Sequence, residues 1–180
     1  MGSYKQASDS VSIRPAPFIT AARLSDFLHP GVVKIHLEAV DKEEAFEELV
    51  DLLAQTGGVK DRTGALAALR AREALGTTGI GNGVAIPHHK HESIEKLVAA
   101  VGISRGGVEF DAVDGKPARV IFLLLASADH PGPHVQTLAE IAHLVQSPRF
   151  VDKLLAAKTP RELLDIIRLE EQPWKPELAL

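Results

Sequence analysis

The sequence predicts an α/β sandwich in which helices cover a largely buried β-sheet that is either mixed or parallel. Short strand-like segments alternate along the chain with amphipathic helical segments, which is the pattern of layered α/β folds. Residues 119–126 are apolar enough to form a strand buried on both faces. The 180 residues are 45% hydrophobic and 24% charged, which suits one domain with its own core. We expect that domain over residues 21–169, between a loose leader (1–20) and a C-terminal tail (170–180).

The first half of the domain is expected to contain one strand and two helices. Residues 32–37 are β-branched and partly alternating, which predicts a strand. Asp41 and Glu44 form a capping-box pattern at the start of a helix. A second helix is expected over residues 61–75, with Asp61 as its cap. The residues at helical spacing in the first helix, which we expect to face the core, are Ala45, Phe46, Leu49, Val50 and Leu53.

The second half is expected to begin with a glycine-rich turn and to continue with strands and then helices. Residues 76–83 form the turn segment, and residues 84–86 form a short strand that Pro87 ends. Two longer strands are expected over residues 97–103 and 119–126, and three helices over residues 134–146, after Ser147 and after Thr159.

Net charge and cysteine content exclude several classes of function. The chain carries 20 Lys and Arg against 24 Asp and Glu, a formal charge of −4, which disfavours general nucleic-acid binding. It has no cysteine, which excludes disulfide frameworks, thiolate zinc sites and a cysteine nucleophile. The longest apolar run, residues 120–126, is far shorter than the ~20 residues of a membrane-spanning helix, and the first residues offer no apolar signal core. We therefore expect a cytoplasmic protein without membrane insertion.

The histidines cluster at two places where predicted strands end. His88, His89 and His91 follow the glycine-rich segment, and His130 and His134 follow the most hydrophobic strand. Open α/β sheets usually place their sites at the carboxyl ends of strands. These two clusters are therefore the candidate site.

The glycine run that precedes the first histidine cluster is weak evidence when taken alone. It is not a dinucleotide fingerprint, because Val84 stands where the last glycine should be, and no Lys-Ser or Lys-Thr follows to make a Walker A loop. A flexible turn with glycines at positive φ explains it equally well. The segment becomes informative because Ala85-Ile86-Pro87-His88 follows directly.

With that continuation, residues 72–88, REALGTTGIGNGVAIPH, resemble the active-site signature of the enzyme IIA proteins of the bacterial phosphotransferase system. The branch it resembles is that of the fructose, mannitol and nitrogen-regulatory proteins (type 2). The resemblance runs over residues 24–167 and includes two further blocks, FDAVDGKP at 110–117 and HVQTLA at 134–139. It implies a mixed sheet flanked by helices, in agreement with the fold expected from the pattern.

The resemblance also implies roles for three residues. His88 would accept a phosphoryl group from the phosphocarrier protein HPr and pass it to an enzyme IIB domain or to a regulatory target. His134 would be the second active-site histidine, and Arg72 the active-site arginine. No metal, nucleotide or other cofactor is required, because the donor is itself a phosphohistidine.

Imidazole chemistry suits this role. A neutral imidazole can attack phosphorus without a separate base, and phosphoryl transfer depends mainly on positioning and on stabilising the charge of three oxygens. We expect the donors to be Arg72, the hydroxyls of Thr77 and Thr78, and the backbone N–H groups at Gly81 and Gly83.

Helical spacing sorts the histidines of the helix expected over residues 134–146. His134 lies on the same side as Leu138, Ala142 and Val145, which are expected to face inward, whereas His143 lies on the opposite face. A merely structural, buried His134 is the alternative to the functional interpretation. His143, His29 and His36 are expected to be solvated.

Two positions near the signature leave alternatives open. Arg72 near a helix end also fits a residue that complements the helix dipole or pairs with Glu73. His89 stands where this family usually has glycine, so either His88 or His89 is a candidate acceptor. The segment Pro131-Gly132-Pro133 before His134 is stiffer than expected for the family.

Three functions are consistent with the sequence. The first is a phosphoryl carrier in sugar transport, and the second is a regulatory binding protein whose phosphorylation state controls its partners. The resemblance implies that a fused IIB domain would use a phosphocysteine, so we expect none in this cysteine-free sequence, which suits the regulatory branch. Stand-alone sugar-specific IIA proteins also exist, so the sugar-transport function stays open. The third is a metal-dependent hydrolase, although no H-E-x-x-H motif is present. Its candidate ligands are His88, His89, His91, His130 and His134.

Overall fold

The structure, a computed structural model, describes residues 22–130 and 132–171. In this part of the chain six strands form one mixed sheet, in which β5 and β6 are antiparallel and form the centre. The order is β1-β5-β6-β3-β2, and β4 also pairs with β6. The strands are β1 (Val33–Lys34), β2 (Gly79–Gly81), β3 (Val84–Ala85), β4 (His88–His91), β5 (Val98–Val108) and β6 (Ala118–Ser127).

In the described ranges five α-helices cover this sheet, and four of them start at the capping residues that the sequence predicts. The side chains of Asp41, Asp61, Ser147 and Thr159 each accept a backbone N–H from the first helical turn. All five predicted core residues of the first helix are buried. The helices are α1 (Lys42–Gln55), α2 (Arg62–Ala74), α3 (Gly132–Leu144), α4 (Pro148–Ala156) and α5 (Pro160–Glu170).

Strand β6 is the buried axis of the fold. Nine of its ten residues are buried, and because successive side chains point to opposite faces, both faces of the sheet are covered. Helices α1 and α2 pack on each other and against β5 and β4, while α4 packs on α5 and against β6. The predicted fold class, a mixed sheet with helices on both faces, is confirmed.

Strands β3 and β4 are one extended run along β6 that is interrupted by Ile86 and Pro87. Val84 pairs with Val120 and His88 pairs with Leu124, so the register is the same on both sides of the interruption. Pro87 has no N–H to give to the ladder, which explains the gap. Strand β4 is not among the predicted strands, because its sequence His-His-Lys-His is entirely polar.

Two local predictions need correction. The strand expected over residues 32–37 is only the two residues of β1. The inward face of α3 consists of His134, Thr137, Ile141 and Leu144, whereas Ala142 is exposed. The helical face is therefore rotated from the predicted one, although His134 is buried and His143 exposed as expected.

The predicted leader, residues 1–20, lies outside the described residues, as does the tail beyond residue 171. Helix α5 ends at Glu170, one residue past the expected limit of the domain. None of the helices in the described ranges is both long and apolar enough to cross a bilayer.

Candidate active site

His88 is the first residue of β4, directly after the proline that interrupts the strand. Its Nδ1 lies 2.7 Å from the backbone carbonyl oxygen of Ile86, two residues earlier. Because a carbonyl only accepts hydrogen bonds, Nδ1 carries the proton in this contact. The lone pair of the neutral ring is therefore on Nε2, and this nitrogen is the available nucleophile.

His134, in the first turn of α3, faces His88. The two ring centroids are 5.6 Å apart, and the ring planes are inclined by 51°. His134 is 5% exposed, and burial, with the nearby His88 as a smaller cause, lowers its pKa from 6.5 to about 4. The structure thus brings together two predicted site residues that are far apart in the sequence, and His134 is a neutral imidazole at pH 7.

Burial also lowers the pKa of two imidazoles of β4, those of His88 and His89. Burial lowers the pKa of His88, and the positive charge of Arg72 acts in the same direction, while the Ile86 carbonyl and Glu73 oppose it. Burial and the neighbouring charges of His88 and Arg72 also lower the pKa of His89. Arg72 is therefore close enough to act on the site electrostatically.

Arg72 and Glu73 have separate roles at the end of α2. The Arg72 guanidinium donates through Nη1 to the carbonyl oxygen of Gly76, at 2.9 Å, and does not pair with Glu73. Glu73 is instead buried, and it accepts the backbone N–H of Thr78 and, at 2.6 Å, the Thr78 hydroxyl. Lys42 approaches the same carboxylate at 3.7 Å. Sequence reasoning missed this role of Glu73, which fixes the loop that leads to β2.

The expected donors from the glycine-rich segment are placed differently from the prediction. The hydroxyl of Thr77 donates to the carbonyl oxygen of Phe110, and that of Thr78 donates to Glu73, so both protons are used within the protein. Asn82 and Gly83, both at positive φ, form the hairpin turn between β2 and β3. Gly83 is about 16 Å from His88 along the extended chain. The register along β6 separates this turn from His88, so the geometry does not support the expectation that Gly81 and Gly83 supply N–H groups to the phosphoryl group.

Of the remaining histidines of the two clusters, His89 and His91 share one side of β4, whereas His130 is exposed beyond the end of β6. His89 lies on the other side of β4 from His88, because successive side chains of a strand alternate. His91 lies against α2, where a Cβ on Gly64 would be 2.8 Å from its ring, and its Nδ1 contacts the Ser93 hydroxyl at 2.7 Å. Within the described ranges no group of three or more His, Asp or Glu side chains is arranged to hold a metal ion. The geometry offers no support for the hydrolase hypothesis.

The family model described as "Phosphoenolpyruvate-dependent sugar phosphotransferase system, EIIA 2" matches residues 26–169. The chain belongs to this enzyme IIA family. The match spans nearly the whole described fold, from the first 3-10 helix (Leu24–Phe27) to α5, and it includes the two facing histidines. The resemblance stated from the sequence is thereby confirmed, and with it phosphotransfer as the general activity of this enzyme IIA chain.

Relatives of this enzyme IIA chain come from both branches of the family. A fructose-specific EIIA component of Haloferax volcanii is 38% identical over 126 residues, which cover 70% of this chain and 82% of that protein. A nitrogen regulatory protein of Bradyrhizobium diazoefficiens is 32% identical and covers 81% of this chain and 95% of its own. A fructose-specific EIIABC component of Bacillus subtilis is 30% identical over 83% of this chain, but the chain spans only 24% of that longer protein.

Solved structures share the fold. The nitrogen regulatory protein IIA-Ntr of Neisseria meningitidis superposes with a TM-score of 0.74 at 31% identity, covering 79% of this chain and 97% of its own. Enzyme IIAMTL of Escherichia coli, in its complex with phosphorylated enzyme IIBMTL, superposes with a TM-score of 0.68 at 20% identity. The superposition covers 78% of this chain and 96% of that chain. This second likeness concerns the fold alone.

Proposed function

We propose that this enzyme IIA chain is a cytoplasmic phosphoryl carrier that receives its phosphoryl group from phosphorylated HPr on Nε2 of His88. The observation that carries the proposal is the contact between Nδ1 of His88 and the Ile86 carbonyl, because it leaves Nε2 as the free nucleophile of a neutral ring. His134 and Arg72 are proposed as the groups that bind the transferred phosphoryl oxygens.

The proposed step is a direct displacement between two imidazoles. The Nε2 lone pair of His88 forms the new N–P bond, while the N–P bond of the donor phosphohistidine breaks and its electron pair returns to the donor ring. The proton stays on Nδ1 of His88 throughout, donated to the Ile86 carbonyl. The developing charge on the phosphoryl oxygens is stabilised by the guanidinium of Arg72 and by an N–H of neutral His134.

The surface around the histidines suits a protein partner. Leu75, which follows Arg72 by three residues, is 85% exposed, and Val135, next to His134, is 59% exposed. A continuous exposed apolar patch beside a site marks a docking surface, and we propose that Leu75 and Val135 belong to such a patch. HPr would dock here as donor, and an IIB domain as acceptor. The solved complex of enzyme IIAMTL with phosphorylated enzyme IIBMTL is one case in which a protein of this fold binds an IIB domain.

A regulatory role is the second candidate. The nitrogen regulatory relatives match this chain over nearly their full length, and IIA-Ntr of Neisseria meningitidis shares the fold at 31% identity. In that case phosphorylation of His88 would change which protein docks on the surface around Leu75 and Val135, and the phosphoryl group would not have to reach a sugar.

The test is phosphorylation by enzyme I, HPr and labelled phosphoenolpyruvate. We expect one phosphoryl group per chain, with the acid lability and base stability of a phosphohistidine. His88→Gln should abolish the label. His89→Gln is the matched control, because His89 is the neighbouring imidazole on the other side of β4, and it should be labelled like the wild type. Labelling of His88→Gln, or loss of label in His89→Gln alone, would contradict the assignment to His88.

A further inference from the structure

Two buried polar atoms near the site have no hydrogen-bond partner among the described residues, and both belong to α3. They are Nδ1 of His134 and the hydroxyl oxygen of Thr137. Thr137 is fully buried, and His134 is 5% exposed. An unpaired buried polar group costs about 1–3 kcal/mol, so two of them side by side require an explanation.

The two residues are neighbours on the helix surface. They are three positions apart, a spacing that brings Cβ atoms within about 5–6 Å of each other on one face. Side chains of an α-helix also lean towards its N-terminus, so the Thr137 side chain leans towards the turn that carries His134. The two groups are complementary, because a hydroxyl can donate and an unprotonated ring nitrogen can accept.

The neutral ring of His134 carries only one proton, and this explains why such a donor is needed. Because Nδ1 is enclosed by the protein, only Nε2 can reach a phosphoryl group beside His88. To donate to a phosphoryl oxygen, Nε2 must carry the single proton of the neutral ring, and Nδ1 must then be unprotonated. A donor facing Nδ1 would select this tautomer, and the Thr137 hydroxyl is the unused donor on the same face.

We propose that Thr137 is a positioning residue whose hydroxyl donates to Nδ1 of His134 and so holds the proton on Nε2. The contact forms either after rotation of χ1 of Thr137 to another staggered position or through one buried water, and it pairs both orphaned atoms. This inference rests on the proposed role of His88 and His134 in phosphoryl transfer.

The tautomer can be measured without any transfer reaction. Long-range ¹H–¹⁵N correlation spectra at pH 7 distinguish a protonated Nε2 from a protonated Nδ1 in each histidine. We expect His134 to be almost entirely in the Nε2–H form in the wild type and in Thr137→Ser. In the isosteric variant Thr137→Val it should become a mixture of both tautomers. Thr63→Val, an exposed threonine on α2, is the matched control and should leave the spectrum of His134 unchanged.

Rapid-quench transfer from labelled HPr gives the functional measurement. Thr137→Val should transfer at least about tenfold more slowly than the wild type, as expected for a weakened transition-state donor, while Thr137→Ser recovers most of the rate. In a His134→Gln background there is no tautomer to select, so adding Thr137→Val should have little further effect. If Thr137 were merely structural, Thr137→Val would slow phosphoryl transfer equally in the wild-type and in the His134→Gln background.

Each outcome supports or overturns the proposal. An unchanged His134 tautomer in Thr137→Val, or an equal slowing in both backgrounds, would overturn it. Thermal melts by circular dichroism check folding, and Thr137→Ala replaces the valine variant if that protein does not fold. If wild-type protein takes no phosphoryl group at all, the proposed function fails, while the NMR experiment still decides whether Thr137 sets the tautomer.

Discussion

At the scale of single residues, burial affects the protonation of the facing imidazoles of His88 and His134, the proposed nucleophile and the proposed donor. Burial lowers the pKa of both rings, so that both are neutral at pH 7. The Ile86 carbonyl then decides which nitrogen of His88 is free. Sequence reasoning identified the two histidines, but not the tautomer, because the tautomer depends on a backbone atom whose position follows from the strand.

The low pKa of His134 predicts a specific loss of stability in acid. Between pH 6.5 and about 4 the unfolded chain binds a proton on this histidine and the folded chain does not, so the free energy of unfolding falls as the pH falls through this window. The contribution is at most about 3 kcal/mol. His134→Gln should therefore lose less stability than the wild type between pH 7 and pH 4.5, as measured by urea denaturation.

The control for this measurement is His143→Gln. His143 is an exposed histidine on the same helix. Its replacement should leave the change in the free energy of unfolding between pH 7 and pH 4.5 as in the wild type. An equal acid loss in the wild type and in His134→Gln would show that His134 is not held neutral by the fold.

At the scale of elements, the segment before His88 is held by close backbone packing. Strand β2 lies beside the loop that follows β5, where Val113 N–H donates to the Gly79 carbonyl at 3.1 Å. A Cβ on Gly79 would lie 2.9 Å from both Cα and Cβ of Ala112. Since part of this contact is backbone, the loop cannot yield by moving a flexible side chain. Glycine is required at this position for space rather than for its φ angle.

Gly79→Ala should therefore destabilise the protein by about 1–3 kcal/mol, in the range of other overpacked sites, and should slow phosphoryl acceptance by disturbing the Thr77–Thr78 loop. Gly106→Ala is the matched control, because a Cβ on Gly106 would have no neighbour within 4 Å and the φ of Gly106 is not positive. That variant should change the free energy of unfolding by no more than about 0.5 kcal/mol. Equal stabilities of the two variants in urea denaturation would contradict this account.

Helices and strands differed in how well the sequence predicted them. The four caps at Asp41, Asp61, Ser147 and Thr159 are hydrogen bonds to a residue three positions away, so the local sequence contains all the information. Strand β4 is different, since His-His-Lys-His has no apolar alternation. It forms a strand because it continues the extended path of Ala85 and Pro87 and pairs with β6, which is more than thirty residues away in the sequence.

At the scale of the whole molecule, the start of the described chain is attached to the helices at its other end. Glu140 of α3 accepts the Leu24 N–H at 2.6 Å, and Glu171, just after α5, accepts the Ser25 N–H at 2.8 Å. Leu24 itself is fully buried. The first 3-10 helix is therefore part of the same folded unit as α3, which carries His134.

We propose that this folded unit is sufficient for stability and for phosphoryl acceptance. A chain shortened to residues 22–171 keeps both carboxylate contacts and every core residue that the structure describes. It should unfold within a few degrees of the full chain in a thermal melt and should accept the phosphoryl group from HPr at a similar rate. A chain shortened to residues 28–171, which lacks Leu24 and Ser25, is the comparison and should melt lower. An equal loss of thermal stability and of phosphoryl acceptance in both shortened chains would show that residues outside 22–171 are essential.

The amino-acid sequence was enough to predict the family, the five helices with four of their caps, and the two histidines of the candidate site. These features depend on a contiguous signature, on spacing within a helical turn, or on hydrogen bonds between near neighbours. The folded chain was needed to show which nitrogen of His88 is free, that His89 lies on the other side of β4, and that Glu73 holds Thr78. It also placed the glycine turn away from His88 and Thr137 beside His134. Several of these partners are close in the sequence, but which of their atoms meet depends on the backbone path, and the pairing of β3 and β4 with the distant β6 decides that path around His88.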